Sequence, residues 1–290
     1  MGVIITCDST IDLTPELVKK YDLKIIPMFV NLDEETFLDG ETIQPADIYA
    51  FVEKTGNLPK TAARGIGEYA DFFKQFLDAG HSVVHFSIGA KLSSSYSSAK
   101  MAVDEHKLEN VFLVDTNTLS SGSGLLAMYA SDLVKRGNSA QEIYEKCLKR
   151  VPYVQASFVV ENLKFLHKGG RCSMLSVLGA NLLRIKPCIQ VVDGVNKVHR
   201  KYMGGINGAI QKYCADTLKE FNTPDTARCV ITYSTATPEM LEAATKAVEG
   251  CGLFKEIYIT QAGSVINSHC GKNTLGILYI NDGEVNKDIL

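Results

Sequence analysis

The amino-acid sequence predicts an α/β fold in two domains: a first domain with a mostly parallel sheet flanked by helices, and a second α/β domain with a mixed or antiparallel sheet. Short apolar runs alternate with amphipathic segments along most of the chain, which is typical of strands and helices that follow one another. The chain has 290 residues, more than one minimal core needs. In the second half, the dipeptide Asp193-Gly194 is a strong hairpin signal and requires an antiparallel strand pair.

The first half reads as strands and helices in alternation. Thr14 is placed to cap a helix whose first turn contains Pro15, because threonine accepts backbone bonds and proline needs no N–H there. The predicted strands are Val3–Cys7, Lys24–Asn31, Ser82–Ser87 and Asn110–Asp115, and the later helices are Asp47–Thr55, Glu68–Ala79, Ser94–His106 and Gly124–Arg136. Such alternation favours a parallel sheet with helices on both faces.

The second half contains the predicted hairpin. Its helices are Ser139–Arg150, Asn162–Leu166, Gly208–Phe221 and Pro238–Val248, and its strands are Val154–Val160, Cys188–Val192, Val195–Arg200, Arg228–Tyr233, Lys255–Thr260 and Thr274–Ile280. We divide the chain into a domain of residues 1–160 and a domain of residues 161–290. No Pro/Ser-rich linker separates them, so we expect the two domains to pack closely.

Composition bounds the function classes. Hydrophobic residues make up 46% of the chain and charged residues 22%, with a net charge of −3 and no basic stretch, so we expect no nucleic-acid partner. We expect a cytoplasmic protein, since no segment resembles a signal peptide or a membrane span. The eight cysteines show no CxxC spacing and suit free thiols in a reducing compartment. His81 immediately precedes the predicted strand Ser82–Ser87 and His85 lies within it. Four residues of extended chain hold these histidines too far apart to share a metal ion, and we expect no metal site.

Two hydroxyl residues stand where a ligand could bind. Ser93 precedes a predicted helix, and unpaired N–H groups at a helix start can bind an anion, although an ordinary capping serine would look the same. Thr61 lies in the segment Leu58–Gly65, predicted to be a loop between helices. Loops at the carboxyl edge of a parallel sheet bind ligands, but a solvated connector is the alternative.

Three further segments carry titratable groups. His269 lies among small residues in a predicted loop between two strands, where it could donate a hydrogen bond or be merely structural. Arg171 follows the double-glycine turn of His167–Ser173 and suits an anionic group or plain surface charge. The segment Asp8–Asp12 could bind metal or act as a base, but a capping and turn cluster is the favoured interpretation. No GxGxxG, Walker or GxSxG motif is present.

These segments, in this order, resemble the DegV family over essentially the whole chain. The resemblance rests on Asp8-Ser9-Thr10, Asp12-Leu13, Pro59-Lys60-Thr61, Leu92-Ser93-Ser94-Ser95-Tyr96, Val114-Asp115-Thr116, Lys168-Gly169-Gly170-Arg171 and His269-Cys270-Gly271. It implies a two-domain DegV-like fold and the role of the fatty-acid-binding subunits of bacterial fatty acid kinase. Such a subunit is a carrier without a cofactor. It buries a long-chain fatty acid, and a separate kinase subunit phosphorylates the carboxylate with ATP.

The resemblance also implies residue roles. Thr61 and Ser93 would hold the carboxylate, and His269, Ser94 and Ala62 would belong to the same carboxylate-binding set. Arg171 and Arg64 would lie in the head-group region that faces the kinase. The chain departs from the family pattern at several positions, namely Ala62 and Ser94 beside the two hydroxyl residues, Asn267, Lys272-Asn273, and Arg64, where proline is common. Ala62 removes a hydroxyl from the carboxylate-binding set, and Arg64 could supply positive charge in its place.

Two other functions remain open from the sequence. Ser93 and His269 could approach each other in space and form an acyl hydrolase or acyltransferase site. The chain could also be a lipid-sensing regulatory protein. In the carrier interpretation, we expect only transient membrane contact for lipid exchange.

Overall fold

The computed structural model of the chain describes residues 2–172 and 185–283, so Ser173 lies outside the described residues. The strands are β1 Val3–Asp8, β2 Leu23–Ile26, β3 Phe29–Leu32, β4 Glu35–Leu38, β5 Lys60–Ala62, β6 Ser82–Ser87, β7 Val111–Asp115, β8 Val154–Val159, β9 Ile185–Val192, β10 Val195–Met203, β11 Arg228–Tyr233, β12 Glu256–Gln261 and β13 Leu275–Ile280. The α-helices are α1 Pro15–Lys20, α2 Pro45–Thr55, α3 Ile66–Leu77, α4 Ser95–Glu105, α5 Ser121–Lys135, α6 Ala140–Arg150, α7 Lys164–Lys168, α8 Ile206–Glu220, α9 Pro238–Gly250 and α10 Ser264–Cys270.

The first sheet confirms the parallel arrangement predicted for the first half. Its strand order is β2-β1-β6-β7, and every neighbouring pair is parallel. The chain leaves the central strands in opposite directions, because β1 leads to β2 on one side and β6 leads to β7 on the other. The crevice between β1 and β6 is therefore a topological switch point, where α/β sheets commonly bind ligands.

The single strand predicted over Lys24–Asn31 is wrong, because the chain forms two strands there. β2 belongs to the first sheet, whereas β3 pairs antiparallel with β4 and β5 in a separate small sheet. Pro27 lies between them and has no N–H to continue a ladder. The loop predicted around Thr61 is also wrong, because Lys60–Ala62 forms strand β5 of this small sheet and Thr61 pairs with Val30.

The second sheet is mixed, as predicted, with the order β10-β9-β8-β13-β11-β12. The hairpin prediction is confirmed: β9 and β10 pair antiparallel around Asp193 and Gly194, whose φ angles are 52° and 74°. Two positive φ angles give a turn whose twist matches the flanking strands. β8 pairs with β13 and β9 in this sheet. The division into domains at residue 160 stays a prediction. Because β8 belongs to the second sheet, a division of the chain by sheets would fall before Val154.

Helix α5 joins the two sheets. It contacts β1 and β6 on one side and β8, β11 and β13 on the other. Leu126 and Met128 are fully buried in a core that also includes Val84 of the first sheet and Leu278 of the second. The two halves therefore share one hydrophobic core and pack closely, as the missing linker predicted. Within the described ranges, no helix combines the length and hydropathy needed to cross a membrane.

Candidate functional site

A cavity of about 300 Å³ opens at the carboxyl edge of the first sheet, between its loops and helix α10. The loop after β6 supplies one wall and strand β5 another. The lining residues are Met28, Thr61, Ala62, Ala63, Arg64, Ile88, Leu92, Ser93, Ser94, Ser98, Leu119, Leu166, Arg171, Asn196, Val265, Ile266, His269 and Cys270. The residues that the family resemblance assigned to the ligand site all line this cavity, namely Thr61, Ala62, Arg64, Ser93, Ser94, Arg171 and His269. The chain separates Thr61 from His269 by 208 positions.

Thr61 and His269 form a polar pair at one end of the cavity. We call this end, where Ser93, Arg64 and Arg171 also lie, the mouth. The Thr61 Oγ1 and His269 Nε2 atoms are 2.8 Å apart, within hydrogen-bond distance. Burial lowers the pKa of His269 to about 4, with a further contribution from the Arg171 cation. The imidazole is therefore neutral near pH 7 and carries a single N–H, so its tautomer decides which partner donates.

A glycine lies against the opposite edge of the His269 ring, at Nδ1. A Cβ atom at Gly169 would lie 2.5 Å from His269 Nδ1. No side chain fits there, and Nδ1 is buried without a hydrogen-bond partner among the described residues. The double-glycine turn identified in the sequence thus lets the backbone approach the imidazole closely.

Ser93 lies just before helix α4. The structure makes Ser94 the N-cap, and Ser93 Oγ accepts a 3.2 Å bond from the Ser95 N–H and lies 3.0 Å from Ser95 Oγ. The helix therefore begins about one residue later than the sequence predicted. Gly89 holds the preceding turn against the segment that follows β7, because its N–H donates to the Thr118 carbonyl at 2.7 Å and a Cβ there would crowd the Thr118 backbone.

The segment Asp8–Asp12 is the capping cluster favoured from the sequence. Asp8 accepts bonds from the Tyr69 hydroxyl at 2.6 Å and from the Ile88 N–H at 3.0 Å, which fixes the start of the loop that carries Ser93. Ser9 Oγ donates to Asp39 at 2.7 Å and accepts from the Met28 N–H at 3.1 Å. These contacts position the cavity walls.

His269 lies in helix α10, so the loop predicted for it is wrong. The segment is rich in Gly, Ser and Asn, which are weak helix formers. Its amino end is stabilised from distant parts of the chain: Asp39 Oδ1 accepts from the Ser264 N–H at 2.7 Å, and Asp12 Oδ1 accepts from the Gly263 N–H at 2.8 Å. Burial raises the pKa of Asp12 to about 8 and also raises the pKa of Asp39.

Two arginines border the mouth. Arg171 donates to the carbonyls of Leu92 at 3.2 Å and Gly169 at 2.6 Å, so it ties the Ser93 loop to the glycine turn. Arg64 donates to Glu68 at 2.6 Å and lies over the Phe29 ring at 4.5 Å from its centroid. Both guanidinium groups place positive charge beside a cavity whose hydroxyl groups are neutral.

The remaining predicted residues contribute differently. Ala62 and Ser94 line the cavity but are exposed, and Ala62 offers only a methyl group. Asn196, on β10, lines the same cavity and was missed by sequence reasoning. A polar residue two positions after a hairpin turn has no distinctive local signal, because its orientation depends on the register of β10 with β9.

The interior of the cavity is apolar. Leu119, Ile266 and Cys270 also line a second space of about 30 Å³, which reaches Phe158 and Leu278 of the second sheet. An elongated ligand could therefore place its polar end at the mouth and its apolar end between the two halves. Within the described ranges, no group of three or more His, Cys, Asp or Glu side chains could hold a metal ion.

The fold and the cavity define a class of α/β proteins with two large sheets and one small sheet, and with an apolar site that ends at hydroxyl groups and an imidazole. A family model described as "Uncharacterised protein, DegV family" matches residues 2–282, and the chain belongs to the DegV family. A DegV domain-containing protein of Clostridium perfringens is 30% identical over 200 residues, covering 69% of this chain and 72% of that protein.

Solved structures show the same fold. A DegV family protein from Thermus thermophilus, whose description reports fatty acid binding, superposes with a TM-score of 0.88 at 26% identity, covering 97% of this chain and 100% of that chain. A protein described as a DegV lipid binding protein from Thermotoga maritima gives a TM-score of 0.83 at 25% identity, covering 97% and 99% of the two chains. These likenesses confirm the family resemblance inferred from the motifs.

Proposed function

We propose that this chain binds one long-chain fatty acid, with the carboxylate at Thr61 and Ser93 and the acyl chain in the apolar interior. The observation that carries the proposal is the hydrogen bond between Thr61 and His269 in a cavity that is also lined by apolar side chains such as Leu119 and Ile266. If His269 Nε2–H donates to Thr61 Oγ1, the Thr61 proton is free to be donated to a carboxylate oxygen. The neutral imidazole thereby orients the threonine without forming an ion pair with the ligand.

The apolar interior supplies most of the affinity. Each buried methylene contributes about 0.8 kcal/mol, so about ten of them provide on the order of 8 kcal/mol. Part of this binding free energy is offset by the entropy that the acyl chain loses when it is ordered in the cavity. The hydroxyl groups then fix which end of the ligand lies at the mouth. The fatty acid or lipid binding described for the solved relatives from Thermus thermophilus and Thermotoga maritima supports this assignment.

The finer part of the proposal is that the bound carboxylate is presented to a separate kinase subunit. In that reaction a carboxylate oxygen attacks the γ-phosphorus of ATP, the bond to ADP breaks, and an acyl phosphate forms. Neutral hydroxyl donors suit this step. A tight salt bridge would stabilise the negative charge on the attacking oxygen and make that oxygen a weaker nucleophile. Arg171 and Arg64 lie at the mouth and could attract the phosphates or the partner.

This role needs no cofactor in the chain itself, and we propose that it operates in the cytoplasm with only transient membrane contact during lipid exchange. All eight cysteines are free, which suits a reducing compartment. The kinase step is tested by mixing the purified, lipid-loaded chain with a bacterial fatty acid kinase subunit and ATP. Acyl phosphate is trapped with hydroxylamine, and its absence at any kinase concentration would contradict presentation.

An acyl hydrolase built on Ser93 and His269 is disfavoured by the geometry. A nucleophilic serine needs a base within hydrogen-bond reach. His269 Nε2 instead contacts Thr61, and the Ser93 hydroxyl contacts Ser95. We expect a serine-reactive fluorophosphonate probe to leave Ser93 unlabelled, and labelling there would support the enzyme interpretation.

A lipid-sensing role is compatible with the same cavity. In that case the chain would bind lipid, but no acyl phosphate would form when the kinase subunit and ATP are added.

Lipid binding itself is tested by denaturing extraction of the purified chain followed by mass spectrometry. We expect about one long-chain fatty acid per chain. A chain that copurifies without fatty acid, and that takes up none when incubated with palmitate, would contradict the proposal.

A further inference from the structure

Asn196 is a polar residue of the cavity to which the proposed function assigns no role. It lies on β10, two residues after the hairpin turn, and only 7% of its surface is exposed. It lines the same cavity as Thr61, Ser93 and His269. Its Nδ2 donates a 3.0 Å hydrogen bond to the Arg171 carbonyl oxygen.

That bond determines the orientation of the amide group. If the amide were turned over, Asn196 Oδ1 would face the Arg171 carbonyl, and two acceptors would oppose each other. The remaining atom of the amide is therefore an acceptor. Asn196 Oδ1 is buried and has no hydrogen-bond partner among the described residues. A buried carbonyl without a donor is unfavourable, which marks it as a position where a ligand donor would be stabilising.

The hairpin is held firmly enough to keep Asn196 in place. Lys91 Nζ donates to the Asp193 carbonyl at 2.8 Å, which joins the turn to the loop that leads to Ser93. A Cβ atom at Gly194 would lie 2.3 Å from the Asn117 side chain, so the turn packs directly against the first half. These contacts fix the backbone that carries Asn196 against the first half of the chain.

A fatty acid carboxylate has no proton to offer this acceptor. The arginines beside the cavity favour the ionised form of the acid, so a donor within the ligand has to be a group other than the carboxylate. A hydroxyl group near the carboxyl end has the required O–H and would lie close to the mouth. A hydroxyl at the far end of the chain would instead meet the apolar interior.

We propose that the cavity prefers fatty acids with a hydroxyl on the carbon next to the carboxyl group or on the following carbon, and that Asn196 Oδ1 accepts its hydrogen bond. This inference rests on the proposed function and adds the chemical class of the ligand. It assigns Asn196 the part of a specificity-determining residue, whereas Thr61 and Ser93 hold the carboxylate common to all acyl ligands.

The experiment compares four ligands on the delipidated full chain by isothermal titration: palmitate and its α-hydroxy, β-hydroxy and ω-hydroxy derivatives. We expect the better of the α- and β-hydroxy acids to bind about tenfold more tightly than palmitate, because a previously unpaired acceptor gains a donor. The ω-hydroxy acid should bind more weakly than palmitate. This comparison needs no variant, so it tests the inference even if substitutions at Asn196 prevent folding.

Asn196→Leu should abolish the preference, so that palmitate and both near-head hydroxy acids bind this variant with equal affinity. Asn207→Leu, the same change on the outer helix α8, is the matched control and should keep the preference. Equal affinity of the wild-type chain for palmitate and both near-head hydroxy acids would overturn the inference, as would a preference that survives Asn196→Leu. Failure of all four ligands to bind would instead refute the proposed function.

Discussion

Replacement of Thr61 by valine isolates the hydroxyl group on which the proposed function depends. Valine keeps the β-branched shape that suits strand β5 and replaces the Oγ1 hydroxyl with a methyl group. In the wild-type chain that atom lies 2.8 Å from His269 Nε2. The variant therefore loses one donor to the carboxylate and also leaves the His269 N–H without its partner.

The expected loss follows from the charge of the ligand. A hydrogen bond to a charged group contributes about 1.5–3 kcal/mol, and about 1.4 kcal/mol corresponds to a tenfold change in affinity. We therefore expect Thr61→Val to weaken palmitate binding by roughly 10-fold to 150-fold. The thermal midpoint of the delipidated chain should also fall, because the buried His269 ring loses its hydrogen-bond partner, although the pairing of β5 with β3 is retained.

Isothermal titration of delipidated protein with palmitate measures the effect. Thr36→Val is the matched control, since Thr36 lies in β4 of the same small sheet and its hydroxyl bonds Asn31 at 2.9 Å, outside the cavity lining. Wild-type affinity in Thr61→Val would refute the assignment of the carboxylate to Thr61. An equal loss in the Thr36 variant would show that the sheet, and not the hydroxyl, is responsible.

Three more predictions concern the groups that support the mouth. Asp39→Ala removes the cap of helix α10 and should lower the free energy of unfolding by about 1–2 kcal/mol in urea titrations, whereas Asp39→Asn, which keeps an acceptor, should lose less. Asp12 holds its proton up to a pKa of about 8 in the folded chain but releases it near 3.8 when unfolded, so the free energy of unfolding should fall as pH rises through that interval. Asp12→Asn should flatten that slope, and an unchanged slope would contradict it. His269, with its pKa near 4, should remain neutral, so palmitate affinity should not change between pH values of about 5 and 8. A binding transition near pH 6.5 would show that the imidazole titrates normally.

The parallel first sheet and the β9–β10 hairpin could be predicted because their signals are local. Alternating strands and helices mark the first, and Asp193-Gly194 marks the second. The small sheet could not be predicted in the same way. Strand β5 has three residues, too few for a pattern, and its partner β3 lies far away in the sequence. Helix α10 escaped prediction because distant aspartates cap it, while its own residues favour loops.

The candidate site likewise combines residues that the sequence identified with one residue that it did not identify. Thr61, Ser93 and His269 were proposed because the ordered motifs resemble one family, and the structure places all three on one cavity. No spacing rule alone would have joined residues so far apart in the chain. Asn196 lies outside those motifs, and only the register of β10 and the bond to Arg171 distinguish it from an ordinary strand residue.

A crystal structure of the chain with bound palmitate tests the central claim most directly. We predict a carboxylate oxygen within hydrogen-bond distance of Thr61 Oγ1 and the other near Ser93 Oγ, with the acyl chain running past Leu119 and Ile266 toward the second sheet. A ligand whose carboxylate lies away from both hydroxyl groups, or whose chain lies outside this cavity, would contradict the proposed function.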